Sequence, residues 1–330
     1  MSRDLRSLPK AHLHLHLEGG MRQRTLADFT ERYGLPPPPT PDGSFATFIR
    51  TYRQACEGLR SADDLRRLVG EVVEDAAVDG AVWIEPADWI TRASADRMGL
   101  ADEEAVLNVI LEALHDAART HGIDAGLMMS SNRIHPPEQA EGLARLAARY
   151  AGNGVVSFGL ADDEVVGPPE AFADAFAIAR AAGLVSAPHG GELAGPERVR
   201  GALDALDADR VQHGVRSVED PALLERLAEQ QTCLDVCLTS NVYLGVVPSL
   251  EQHPLPQLLA AGIPVSLNTD DPLVFGSSLL GEYEIARRVF GLDDKTVAAI
   301  AAASIRHSGA PAWLKESALA GVEDWLAAPE

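Results

Sequence analysis

Lysine is nearly missing from this 330-residue chain: Lys10, Lys295 and Lys315 are the only three, and arginine carries almost all of the positive charge. With 28 basic against 49 acidic residues the formal net charge is -21, and no Lys/Arg run interrupts it. Such a surface repels phosphate backbones and anionic lipid. It argues against a nucleic acid polymer or a membrane as partner and leaves a small molecule. Cysteine is scarce too. Cys56, Cys233 and Cys237 make an odd set, two of them in one apolar run, and they read as buried free thiols of a reducing compartment. No apolar stretch reaches the roughly 18 residues that suggest a membrane span, and no apolar signal region follows Met1–Arg6. The expected location is the cytoplasm. Also absent is a Gly-rich phosphate loop after the first β-rich run, which an open nucleotide-binding sheet would show.

What is present is a large apolar fraction, 46%, with 23% charged residues, a composition that buries a core rather than staying disordered. Short β-rich runs alternate with helical patterns along the chain. The runs are 11–17, 81–85, 125–129, 155–160, 184–188, 210–212, 233–237 and 264–268. Helical patterns follow each, among them 25–33, 45–58 and 62–79 after the first run, 103–121 after the second, and 294–305 and 311–325 at the end. Eight strand–helix units in one chain of this length point to an α/β fold, a (β/α)8 TIM-type barrel forming a single domain over 1–330. Extra helices are expected after strand one, as a helical lid over about 20–79, and at the C-terminus. The Pro-rich piece Leu35–Pro41 can be neither helix nor central strand. It reads as part of the lid over the barrel mouth.

Active sites of such barrels sit at the carboxyl ends of the strands, so the polar residues there can be read together. Run one carries His12, His14 and His16 on alternate positions, and i and i+2 share a face. His14 and His16, nearest the strand end, can both point inward at one metal, while His12 reads as a structural or supporting residue. Run five ends at His189 followed by Gly190, Gly191 and Glu192; run six ends at His213; run eight leads to Asp270 and Asp271 before Pro272. Singly, each has an ordinary structural explanation; converging on one mouth they form a metal and acid–base constellation. Imidazoles plus a carboxylate around an open position suit Zn²⁺ best, with Fe²⁺ or Co²⁺ as alternatives. Such a metal activates a water as nucleophile, and a further His and carboxylates can move protons. The lysine scarcity now matters: no lysine lies between Lys10 and Lys295, so a carbamylated lysine cannot bridge two metals mid-barrel. No clear glutamate bridge appears in Ala161–Glu164, which favours one metal per chain.

These residues resemble the adenosine/adenine deaminase family of the amidohydrolase superfamily, from about Leu8 to Glu284. The anchors are Leu8–Gly19, His189–Glu192, His213–Gly214, Ser240–Val242 and Asn268–Pro272. The resemblance implies His14, His16, His189 and Asp270 as zinc ligands. It implies Glu192 as the acid that protonates purine N1, and His213 as the residue that orients and deprotonates the attacking water. Asp270 counts among the catalytic groups as well. His16, Glu18, the backbone at Asp162, and Asp271 would contact substrate, Asp271 at N7 and Glu18 at the sugar or tail. His12 stands where relatives commonly carry Glu, and Asp162 where many adenosine-type members have Gly. Glu18 and Ser240–Val242 lean toward the adenine-deaminase branch.

That branch includes enzymes for adenine, adenosine, N6-substituted adenines and 6-aminodeoxyfutalosine, a menaquinone precursor with a benzoate tail. Arg133 after run three and Trp89 after run two could meet such a carboxylate and ring. The expectation is hydrolytic removal of the 6-amino group of an adenine-type nucleoside. Free adenine, N6-substituted adenine and, further off, a cyclic amide are the competing substrates.

Overall fold

The computed structural model describes residues 3–39 and 42–328. Eight strands form the frame: β1 (Lys10–His16), β2 (Ala81–Asp88), β3 (Leu127–Asn132), β4 (Val155–Ala161), β5 (Val185–Gly190), β6 (Arg210–His213), β7 (Cys233–Val236) and β8 (Val265–Leu267). They pair in parallel and in chain order. Beyond β8 a bridge between Leu15 and Asp270 returns to β1 and closes the barrel. It is sealed by His16 N–H donating to Asp270 O at 3.1 Å and Asp270 N–H to His14 O at 3.1 Å. A two-residue strand, Asp124–Ala125, pairs with β2 beside β3.

The alternation in β1 explains its placement. Ala11, Leu13 and Leu15 are buried in the apolar shell between barrel and helices, while His12, His14 and His16 take the opposite face. Ala87, Met128 and Ala187 form a small apolar cluster beside the histidines, Ala87 in register with His16. Farther along the strands lies a fully buried ion triad. Arg210 Nη2 is 2.6 Å from Glu85 Oε2 and its Nε is 2.9 Å from Asp235 Oδ2. Trp83 Nε1 and Ser157 Oγ donate to Glu85, and Ser266 Oγ to Asp235.

Three helices follow β1: α1 (Gln23–Tyr33), α2 (Phe45–Gly58) and α3 (Ala62–Val78). Ser44 and Ser61 cap the latter two by accepting from Thr47 N–H and Asp64 N–H, satisfying otherwise orphan donors. Gly34, in the left-handed region at φ 61°, stops α1. These helices occupy the stretch expected as a lid, and α2 rather than the prolines lies at the mouth. Phe48 stacks on Phe275 with ring centroids 5.4 Å apart, whereas none of Pro36–Pro39 lines the central cavity. Thr40 and Pro41 of the Pro-rich piece lie outside the described residues. At the other end, helix Asp294–Arg306 packs back on β1, where Ser304 Oγ accepts from Ala11 N–H, and helix Ala312–Ala327 covers it. Among the described residues no helix is long and apolar enough to cross a membrane.

Candidate active site

At the carboxyl end of the barrel a cavity of about 1150 Å³ opens, lined by His16, Glu18, Asp162, His189, Glu192, His213, Asp270 and Asp271 on its polar side. Five strand ends supply these groups, and the backbone there is unusual. Asp162, His213 and Asp270 all sit at positive φ (80°, 64° and 60°) without being glycine. That conformation is uncommon for residues with a Cβ and is held only where surrounding structure imposes it. Here it turns each side chain at the strand end toward the common centre.

His14, His16, His189 and Asp270 bring one donor atom each to within 4.8 Å of one another. The supporting bonds orient them. His14 Nδ1 donates to Asp235 O at 3.2 Å, so its Nε2 lone pair faces the cluster, 3.4 Å from Asp270 Oδ1. His16 Nε2 lies 3.4 Å from the same oxygen. His14 Nε2 and His189 Nδ1 are buried without a hydrogen-bond partner among the described residues. Buried polar atoms without partners are costly, and a cation at the cluster removes that cost for His14 Nε2, which lies beside Asp270; the set fits a zinc-type ion. Burial, followed by the neighbouring His14, holds His189 and His213 well below the usual imidazole range, which keeps them neutral and ready to ligate or hydrogen-bond. Asp270 is also buried, yet its interactions with His14, then His16 and His213, outweigh burial and hold it well below the usual carboxylate range. Ser240 Oγ donates to its Oδ2 at 2.6 Å.

Glu192 has the opposite character. Burial, then the charges of Asp270 and Glu164, push its carboxyl well above the usual range, which favours its protonated form. Its Oε2 is 3.4 Å from His213 Nε2 and its Oε1 has no hydrogen-bond partner among the described residues. One neutral acid beside one ionised carboxylate is the arrangement that acid–base catalysis at pH 7 requires. Asp271 is buried with neither oxygen hydrogen-bonded among the described residues, and burial followed by Asp270 raises its carboxyl as well. Only glycine fits next to it: a Cβ on Gly19 would stand 1.8 Å from Asp271 Oδ1. Glu18 is held by Tyr52 of α2, whose hydroxyl donates to Oε2 at 3.0 Å.

Profile comparison decides the family: residues 9–325 match the adenosine deaminase profile. The chain belongs to the adenosine deaminase family. Its activity is that of a purine deaminase, a hydrolase that removes an amino group from adenine-type compounds. It is 44% identical to a Streptomyces coelicolor protein assigned as an adenosine/adenine deaminase, over 99% of both chains. It is 38% identical to an adenine deaminase of Chelativorans sp. (90% of this chain, 93% of the other). An aminodeoxyfutalosine deaminase of Streptomyces avermitilis is 36% identical (99% and 94%). Among solved structures, an adenine deaminase from Arthrobacter aurescens superposes with a TM-score of 0.88 at 31% identity (97% and 99%). An amidohydrolase from Burkholderia ambifaria with bound Zn gives 0.87 at 26% (98% and 92%).

One expected site residue is placed elsewhere. Arg133 is not presented to substrate. It is buried, its Nη2 donates to His189 O at 2.8 Å and its Nη1 to Gly167 O at 3.3 Å, and it is absent from the cavity wall. The β3–β4 loops fold over it, so it cannot reach a tail. Glu164, passed over in the sequence, works beside it. Its carboxylate accepts the N–H groups of Gly191, Glu192 and Ala194 at 3.0–3.3 Å and pins the loop that carries Glu192. Glu282 likewise accepts Leu238 N–H at 2.6 Å and anchors the turn bearing Ser240; burial pushes it up to about 7. His12 has a structural place, its Nε2 2.8 Å from Thr269 Oγ1 and outside the four-residue cluster. Asp162 is positioned by Asn132 Nδ2 at 2.6 Å. Trp89 does line the cavity, against His135 at 4.7 Å.

Proposed function

We propose that this deaminase holds one Zn²⁺ and hydrolyses the 6-amino group of an adenine-type nucleoside, 6-aminodeoxyfutalosine or adenosine, releasing ammonia. The observation that carries the reading is the juxtaposition of four inward donor atoms within 4.8 Å with the buried Glu192 carboxyl, 3.4 Å from His213 Nε2 at the same point. His14, His16, His189 and Asp270 hold the metal, whose contribution when bound is Lewis-acid activation of a water. Glu192 protonates ring N1 so that C6 becomes electrophilic, His213 orients the attacking water, and Asp271 meets N7. Glu18 and His16 face the sugar side, and the backbone at Asp162 meets N3.

Support for a nucleoside over a free base comes from size and lining. About 1150 Å³ exceeds the roughly 300–1,000 Å³ of pockets for drug-sized ligands, and a purine ring fills little of it. Trp89 offers an aromatic wall. The cation for an anionic tail is Arg53 rather than Arg133. Arg53 lines the cavity from α2 and makes no ion pair among the described residues. Free adenine is the second reading, favoured by the adenine-deaminase relatives.

Metal-stripped protein titrated with Zn²⁺ should recover ammonia release in proportion to metal and saturate at one equivalent per chain. Activity without metal, or saturation only at two, sinks the single-metal reading. Arg53→Ala should raise KM for a carboxylate-tailed nucleoside and leave that for adenosine unchanged; equal effects on both would remove Arg53 from the tail site.

A further inference from the structure

Behind His213, away from the cavity, lie two buried residues that do not line it, Asn241 and His253. Their hydrogen bonds can be assigned from one group whose polarity is fixed. The backbone N–H of Leu255 can only donate, and it lies 3.0 Å from His253 Nδ1. That nitrogen therefore accepts. Burial holds the ring down to about 4, so it is neutral and carries its proton on Nε2. His253 Nε2 is 3.1 Å from Asn241 Oδ1 and donates to it, which fixes the orientation of the amide. The amide nitrogen of Asn241 then faces His213 Nδ1 at 3.3 Å. An amide NH₂ can only donate, so His213 Nδ1 accepts and the ring proton sits on Nε2. That Nε2–H points at the site, 3.4 Å from Glu192 Oε2 and 3.9 Å from Asp270 Oδ2.

We infer that His253 and Asn241 are positioning residues that lock His213 as a hydrogen-bond donor toward the attacking water, so that His213 holds the water by its oxygen and does not take its proton. The inference rests on the deaminase reading of the site for its consequence in turnover, but not for the tautomer itself. Uptake of the water's proton is left to Asp270, whose Oδ2 faces the same point, since Glu192 already holds the proton it gives to N1. The relay starts at a backbone amide, so it persists as long as the turn around His253 is folded. Each member has one assignment only, and a change at the far end propagates to His213.

The test is histidine ¹⁵N/¹³C NMR of the zinc-loaded protein, with the His213 signals identified by their loss in His213→Asn, alongside kcat and KM on the best substrate. Wild type should show His213 protonated at Nε2. His253→Gln places a side-chain N–H donor near the position of Nε2 and should keep both the tautomer and the rate. His253→Phe should give a tautomer mixture and a fall in kcat with little change in KM. Asn241→Asp offers His213 an acceptor, moves the proton to Nδ1, and should cost about 10²–10³ in kcat, the scale for losing one preorganised donor at developing charge. A wild-type His213 protonated at Nδ1 would overturn the relay. So would an Asn241→Asp protein with the flipped tautomer and undiminished kcat, since His213 would then be working as an acceptor. Failure of every purine to react, with the Nε2–H tautomer present, would strike at the proposed substrate class and leave the relay standing.

Discussion

Removing Arg210 should destabilise the barrel and loosen the metal site together. Its guanidinium is the only cation in ion-pair contact with Glu85 and Asp235 among the described residues, and all three side chains are fully buried. For Glu85, burial raises the carboxyl but the charge and bonds of Arg210 outweigh it, so it sits below the usual range. For Asp235, burial wins over Arg210 and leaves it raised. Arg210→Met keeps most of the volume and deletes the charge, stranding both acids. Breaking a buried pair from one side costs about 3–5 kcal/mol. At roughly 2 °C per kcal/mol for a long chain, Tm should drop by about 6–10 °C. The loss should depend on pH. Without the cation both carboxyls titrate above their unfolded values near 4, so stability falls as pH rises through the raised folded values and the deficit is larger at pH 8 than at pH 5. Because Asp235 O accepts from His14 Nδ1, zinc affinity should fall about 10–100-fold, the usual effect of disturbing a ligand's partner. Calorimetry at the two pH values and chelator competition for Zn²⁺ measure both. Arg210→Met/Glu85→Gln/Asp235→Asn should recover most of the stability. A loss under about 1 kcal/mol, or one equal at both pH values, would refute the reasoning.

Glu192→Gln should lower kcat about 10²–10⁴-fold with metal content unchanged; near-normal turnover would remove the acid role. Because the raised carboxyl must be protonated to act, wild-type turnover should fall as pH rises through that raised value, and a rate that climbs steadily with pH would contradict the assignment. Gly19→Ala drives a methyl into Asp271 and should reduce kcat/KM by at least tenfold, corresponding to about 1.4 kcal/mol of transition-state binding, with Asp271→Asn showing a similar loss. Normal kinetics in the alanine variant would mean that Asp271 does not touch substrate. Arg133→Ala should lower Tm by several degrees and slow all substrates alike, since it braces Glu164 and β5; a selective loss for tailed substrates would restore Arg133 to the cavity.

The barrel was readable because each strand's run of apolar residues is bounded by turn signals, and β1 through β8 fall within three residues of the expected runs at either end. The metal-competent residues were readable because strand ends converge in this topology whatever the helices do. The supporting layer was not. Arg133 lies one residue beyond β3, where periodicity does not fix direction, and folding of the β3–β4 loops turned it inward. Glu164 and Glu282 act through backbone N–H groups, which leave no side-chain pattern. Asn241 lay within a recognised motif but had no role until His253, 12 residues on, was seen to meet it. Short helices such as Arg92–Met98 and Leu238–Tyr243 are too brief for a helical period to register.

The most direct measurement is ammonia release by the zinc-loaded protein from adenosine, 2′-deoxyadenosine, adenine, N6-methyladenine and 6-aminodeoxyfutalosine. The account predicts fast release from a nucleoside, with the tailed one preferred and adenine slower. Preference for free adenine would contradict the nucleoside assignment, and silence across all five from folded protein with one zinc per chain would contradict the substrate class.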